Sequence, residues 1–160
     1  MSYLIRIFCQ STQNLTRREI QEFVVGGLHF DKRPVFIPAF LDPDSMLDHW
    51  EQLDIIYEPD KLPVRVYRNV DDNLLGDEIR ELNDRITTVV APDFQQPLRN
   101  AVNGARQILA IQIDREGLSE EAWAMLDSLE AYLAGNLMGL VYAPDDGFYG
   151  SGLELVYKIG

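Results

Sequence analysis

The stretch Tyr3-Leu4-Ile5-Arg6-Ile7-Phe8-Cys9 decides the fold, because it is the first of two apolar runs around which the sequence is organised. Arg6 is its only charge, and such a run is typical of a β-strand with at least one buried face. The second run, Ile108–Ile113, has the same character. Each run is followed by a helical segment and then by a strand, a turn and another strand. The sequence therefore predicts two βαββ halves.

Two kinds of local signal occur in the same order in both halves. Thr16 and Ser119 each stand where a helix is expected to begin, and their hydroxyls can cap its first turn. Tyr57-Glu58-Pro59-Asp60 and Tyr142-Ala143-Pro144-Asp145 each follow an apolar run and mark a turn. This order predicts an internal pseudo-duplication. Half one covers 1–70, a helical connection covers 71–105, and half two covers 106–160.

These elements together predict an α+β protein with a mainly antiparallel sheet. We expect its helices to pack chiefly on one face of that sheet, in a ferredoxin-like arrangement of the two βαββ halves. A length of 160 residues favours a single domain over 1–160.

Capping and turn residues also predict where individual elements begin and end. Thr16-Arg17-Arg18-Glu19 is a capping box, and its helix is expected to stop at Gly26-Gly27 with a left-handed C-cap. Asp71-Asp72 is expected to cap a central helix. A shorter helix is predicted over Gln96–Ala105, with Pro97 as its first residue. The last strand is predicted over Leu153–Ile159.

Composition excludes several classes of partner. The chain has 26 acidic and 14 basic residues, a net charge of −12, and a pI of about 4.4. This balance argues against binding to a nucleic-acid backbone or to an anionic membrane surface, both of which need clustered cations. It permits steering toward a basic partner. Cys9 is the only cysteine, and the longest uncharged stretch, Ala131–Pro144, is too short to span a bilayer. We therefore expect a cytoplasmic protein.

Motifs that would name a chemistry are lacking in the sequence. It contains no nucleophile elbow, Walker A loop, zincin helix or paired Cys-x-x-Cys. The glycines of Gly147-x-x-Gly150-x-Gly152 connect two predicted strands, whereas a phosphate-binding loop opens a helix. Carboxylate pairs such as Asp145-Asp146 are expected by chance among so many acidic residues. No catalytic residue is predicted.

The two histidines are candidate metal ligands. His29 with Asp31, and His49 with Asp44 or Asp48, could offer nitrogen and oxygen donors to a divalent ion. The spacing of the histidines fits no established metal-binding pattern. No metal and no cofactor are therefore predicted.

Binding is instead expected on two irregular segments. The insertion Leu28–Leu53 has no counterpart in the second half, so basic foldability does not demand it. The other segment is the loop Pro144–Gly152. The candidate binding residues are His29, Asp44, His49 and Trp50 in the insertion, and Asp145, Asp146, Phe148 and Tyr149 in the loop. A core role for the aromatic residues of the insertion is the equal alternative.

The predicted function is that of a non-enzymatic, acidic, cytoplasmic protein that engages another protein, such as an inhibitor or immunity-type protein with a basic target. The alternative is a small-ligand-binding protein or enzyme with a pocket between the sheet and the 28–53 insertion. A structural role through homodimerisation on a sheet face is the third hypothesis.

Overall fold

Within residues 2–159, which the computed structural model describes, eight strands form one antiparallel sheet in the order β2-β3-β4-β5-β1-β6-β7-β8. The strands are β1 (Ser2–Cys9), β2 (Val35–Ile37), β3 (Gln52–Ile56), β4 (Val64–Asn69), β5 (Gln107–Asp114), β6 (Gly139–Ala143), β7 (Gly147–Tyr149) and β8 (Leu155–Lys158). The α-helices are α1 (Arg17–Gly26), α2 (Asp72–Val89), α3 (Pro92–Asn103) and α4 (Glu120–Leu137), and Pro43–Met46 forms a 3-10 helix. The predicted α+β class is confirmed.

The predicted helix starts are confirmed where a side chain caps the first turn. Thr16 Oγ1 accepts a hydrogen bond from the Glu19 amide at 3.2 Å. Ser119 Oγ accepts one from the Ala122 amide at 3.2 Å. Asp71 caps α2 in the same way, through the amides of Asn73 and Leu74. These caps depend on groups within one turn of each other, so the local sequence is enough to specify them.

One predicted cap conformation and two predicted element boundaries were wrong. Gly27 closes α1 in a right-handed conformation, and the left-handed residue is Leu28, with a φ of 53°. Helix α3 begins at Pro92, where proline needs no amide partner, so Pro97 lies inside the helix and removes one of its hydrogen bonds. The segment predicted as the loop Pro144–Gly152 contains β7, which pairs with both β6 and β8.

The chain divides into two compact units. The first unit comprises residues 2–4, 13–68 and 110–130. Strand β4 alternates between the buried Val64 and Val66 and the partly exposed Arg65 and Tyr67. Its partner β3 places Leu53 beside Val66, while Asp54, which is itself buried, pairs with Arg65 on the other side. This alternation is typical of an antiparallel sheet with a single packed face.

The second unit comprises residues 5–12, 69–109 and 131–159, and its neighbouring strands β1 and β6 are buried on both faces. On one face, Phe8 packs in a cluster with apolar side chains of α2 and α3; the buried helix members are Leu75, Leu82, Ile86, Leu98 and Val102. On the other face, Gly139 of β6 lies directly against Ile7 and against Ala134 of α4. The prediction that helices pack chiefly on one face is therefore wrong for this unit. Uninterrupted apolar runs such as Ile7-Phe8-Cys9 need cover on both sides.

The strand order does not confirm the predicted repeat. From β2 to β4 the chain moves toward the middle of the sheet, whereas from β6 to β8 it moves toward the edge. The strands that precede the two turns therefore occupy different places, because β6 lies beside β1 while β4 separates β3 from β5. Similar turn sequences after β3 and β6 reflect shared turn chemistry.

Candidate functional site

The insertion Leu28–Leu53 is held to the rest of its unit by side chains of helix α1. Arg17 donates to the carbonyl oxygens of Gln52 and Asp44, at 3.0 and 2.9 Å. Arg18 donates from Nε to Ser45 Oγ at 3.0 Å. Both arginines belong to the capping box, so one local motif starts the helix and also secures the insertion. The backbone of this segment is therefore fixed by the helix next to it.

Further buried contacts fix the middle and the C-terminal end of the insertion. The fully buried Gln21 donates from its amide nitrogen to the Pro38 carbonyl at 2.8 Å. Trp50 is 5% exposed, and its indole nitrogen donates to the Leu15 carbonyl at 2.9 Å. A buried ring with its one donor satisfied is a core residue. The structure thus corrects the assignment of Trp50 as a contact residue and favours the core alternative at this position.

Large apolar side chains project from this anchored segment into solvent. Six of them within residues 28–47 of the described chain are more than half exposed, namely Leu28, Val35, Ile37, Leu41, Met46 and Leu47. We call these six residues the insertion surface. Val35 and Ile37 lie on the same side of β2, with the buried Phe36 between them. Exposed apolar groups are common singly, but a concentration on one fixed segment is typical of a contact region.

Acidic groups accompany the insertion surface in the chain. Segment 28–53 contains five acidic and two basic residues. Asp44, Asp48 and Glu51 are exposed, and Asp44 and Asp48 flank Met46 and Leu47 of the surface in the sequence. The predicted binding residue Asp44 therefore lies on the insertion at an exposed position. This region offers apolar contacts together with negative charge.

The two histidines lie in different surroundings. His29 is half-buried and meets Phe30 edge to face at 6.5 Å, and Phe30 in turn stacks on Tyr57 at 5.7 Å. His49 is exposed. Among residues 2–159, no group of three or more His, Cys, Asp or Glu side chains is arranged to hold a metal ion. His29 is part of an aromatic stack, and His49 is a surface group.

The predicted binding loop Pro144–Gly152 is a strand hairpin of the second unit. Phe148 is fully buried, and its ring stacks on Tyr142 at 4.9 Å. Tyr149 donates its hydroxyl to Asp146 Oδ2 at 2.8 Å. Asp145 and Asp146 are exposed. The assignment of Phe148 as a contact residue is therefore corrected, because pairing of β7 turns this side chain into the core.

Sequence reasoning missed a cleft in the second unit. It has a volume of about 330 Å³ and lies between α2 and the pair β1–β6. Its lining combines apolar, hydroxyl and charged groups: Arg6, Glu81, Leu82, Asp84, Arg85, Thr88 and Tyr142. This volume is at the lower end of the range of small-molecule sites. The sequence signal for this cleft is Arg6, which is the single charge in an otherwise apolar strand. A buried arginine needs polar groups around it.

Burial raises the pKa of two acidic groups in the first unit. The phenol of Tyr57 is shielded in its stack with Phe30, and the nearby Glu58 carboxylate raises its pKa further. Burial also raises the pKa of Asp127 on α4.

No family model, curated protein or solved structure matches this chain. Over residues 2–159, none of the helices combines the length and the apolar character required to cross a bilayer.

Proposed function

We propose that this chain is a non-enzymatic binding protein that engages another protein through the insertion surface. The observation that supports this proposal is the set of exposed apolar side chains on a segment held by Arg17, Arg18 and Gln21. A fixed backbone lowers the conformational entropy that is lost on binding. Apolar groups on such a backbone can therefore contribute to affinity without first being ordered.

The proposed partner has an apolar contact area with basic residues around it. Asp44, Asp48 and Glu51 place exposed negative charges on the insertion, and the whole chain carries a net charge of −12. Opposite charge at the rim raises association rates and selects among partners. This chemistry fits an inhibitor or immunity-type protein acting in the cytoplasm on a basic target, which is the specific form of our proposal.

Addition of a strand to the sheet is a poor alternative route to association. The edge strand β2 lies between Pro34 and Pro38, which have no amide hydrogen to donate. At the other edge, the pairing of β7 with β8 is irregular at Phe148 and Tyr149, and β8 ends at Lys158. Prolines, bulges and lysines at sheet edges oppose pairing with another strand. The side chains of the insertion surface are therefore the favoured contacts, and dimerisation through the sheet edges is disfavoured.

Site-specific photo-crosslinking tests the proposal. A photoreactive residue at Leu41, which is 81% exposed, should capture a discrete partner, whereas the same residue at Leu62, which is 62% exposed and outside the insertion, should not. The partner, purified separately, should bind the native chain and bind Leu41→Asp at least tenfold more weakly, with Leu62→Asp unchanged. Equal capture from both positions, or equal affinity of both variants, would contradict the proposed surface.

We also propose that the ferredoxin-like description applies to the inner part of the fold. The pairs β1–β4 and β5–β6 are each connected through a helix, α1 or α4, and each pair has one strand of the other pair between its members. This is the order of two interleaved split βαβ motifs. Distance measurements that place α1 and α4 on the same face of the sheet would support the description, and distances that place them on opposite faces would refute it.

The alternative function, binding of a small ligand, is favoured by one observation, the cleft lined by Arg6 and Arg85. This cleft lies beside α2 and is therefore a different site from the pocket that the sequence predicts between the sheet and the 28–53 insertion.

A further inference from the structure

The cleft beside α2 contains a guanidinium group whose hydrogen-bonding capacity is only partly used. Arg6 projects from β1 directly opposite Tyr142 of β6, and its guanidinium carbon lies 5.7 Å from the centre of that ring. Its Nη1 lies 3.5 Å from Glu78 Oε1. Its Nε is buried and has no acceptor among residues 2–159. A buried donor without an acceptor is costly, so an acceptor from a bound molecule is favourable here.

The helix wall of the cleft presents charges of both signs. Glu81, Asp84, Arg85 and Thr88 stand at positions i, i+3, i+4 and i+7, so they share one face of α2. The Thr88 hydroxyl donates to the Asp84 carbonyl at 2.8 Å, which leaves its oxygen free to accept. The wall thus offers acceptors for an ammonium group and, in Arg85, a donor for a carboxylate.

The balance of these charges selects the class of ligand. Two cations, Arg6 and Arg85, stand against the three carboxylates Glu78, Glu81 and Asp84. A simple anion would be repelled by the excess of carboxylates, and a simple cation would leave the Arg6 Nε without an acceptor. A molecule with one carboxylate and one ammonium group satisfies both. Leu82 and Tyr142 line the same cleft and can pack against an apolar linker between those groups.

We propose that this cleft binds a small zwitterion that carries a carboxylate and an ammonium group on a short apolar chain. The carboxylate accepts from Arg6 and Arg85, and the ammonium donates to Glu81, Asp84 and the oxygen of Thr88. A volume of about 330 Å³ corresponds to about ten water molecules, which sets the ligand at the size of a free amino acid.

NMR titration of the full chain with linear ω-amino acids, from β-alanine to 6-aminohexanoate, tests this proposal. At least one member should give saturable amide shifts at Arg6, Arg85 and Tyr142. Hexanoate and hexylamine, which carry one charge each, should bind at least about tenfold more weakly than 6-aminohexanoate or its best-binding homologue, since each lacks a charge-assisted hydrogen bond. If no ligand gives saturable shifts at concentrations up to about 50 mM, where even weak binding would be detected, the cleft holds water alone and the proposal is overturned. Equal binding of hexanoate would also overturn it.

Three variants test the assignment of the groups. Arg6→Lys keeps the charge beside Glu78 and removes Nε, and Arg85→Gln removes an exposed cation from the wall; each should weaken binding about tenfold. Arg80→Gln is the matched control, because Arg80 is exposed on the same helix, pairs with Asp77 and does not line the cleft. Unchanged binding by Arg85→Gln would refute the assignment even where Arg6→Lys fails to fold. Because the insertion surface has no part in this test, its outcome is independent of the proposed protein partner.

Discussion

Replacement of Trp50 by alanine separates a core role from a contact role, the two alternatives that the sequence leaves open for this residue. The ring is 5% exposed, and its indole nitrogen donates to the Leu15 carbonyl at 2.9 Å. Loss of a buried tryptophan ring costs about 3–5 kcal/mol of unfolding free energy. The unpaired carbonyl adds about 1 kcal/mol. For a chain of this length we therefore expect Trp50→Ala to lower the Tm by about 10 °C or more.

Urea denaturation monitored by far-UV circular dichroism measures this loss. Met46→Ala is the matched control, because Met46 is exposed on the same insertion and its truncation should change the unfolding free energy by less than about 0.5 kcal/mol. Trp50→Phe should fall between the two, since it keeps an apolar ring and loses the donor. An unfolding midpoint for Trp50→Ala equal to that of Met46→Ala would refute the assignment of Trp50 to the core.

Three further predictions follow from single contacts. Arg18→Met removes the donor to Ser45 Oγ and the guanidinium group that lies 5.5 Å from the centre of the Phe40 ring. Amide hydrogen exchange in the 3-10 helix should therefore accelerate at least tenfold. An unchanged exchange rate would mean that other contacts hold the insertion. Gly139→Ala should cost about 1–3 kcal/mol in chemical denaturation, because its new methyl group would collide with Ile7 and lie 3.2 Å from Ala134 Cα; unaltered stability would contradict this packing. Because the native pKa of Tyr57 is raised above 10.0, the stability that its burial provides is complete below about pH 10 and is lost as pH rises through the native pKa. Tyr57→Phe should therefore lose less stability than the native chain between about pH 9 and pH 11, and parallel losses would refute the assignment.

The candidate sites show where sequence reasoning stops. From the sequence, Leu41 and Met46 can be assigned to the insertion, which has no counterpart in the second half. Their exposure cannot be predicted in this way, since Phe36 and Trp50 in the same segment are buried. The sequence predicts Phe148 in a loop, but its side chain is buried because β7 pairs with both β6 and β8. Burial of an aromatic ring depends on which distant strand or helix packs on it, and no local pattern states this.

The sequence by itself determined the features that arise within a few residues of each other. The caps at Thr16, Asp71 and Ser119 and the strand character of Tyr3–Cys9 and Ile108–Ile113 follow from side chains acting on their own backbone. The tertiary structure alone decided the strand order, the helices on both faces of the second unit and the cleft that joins Arg6 to α2. Each of these features depends on contacts between segments far apart in the chain. Several strand registers would bury similar apolar areas, and the packing of the complete core selects one of them.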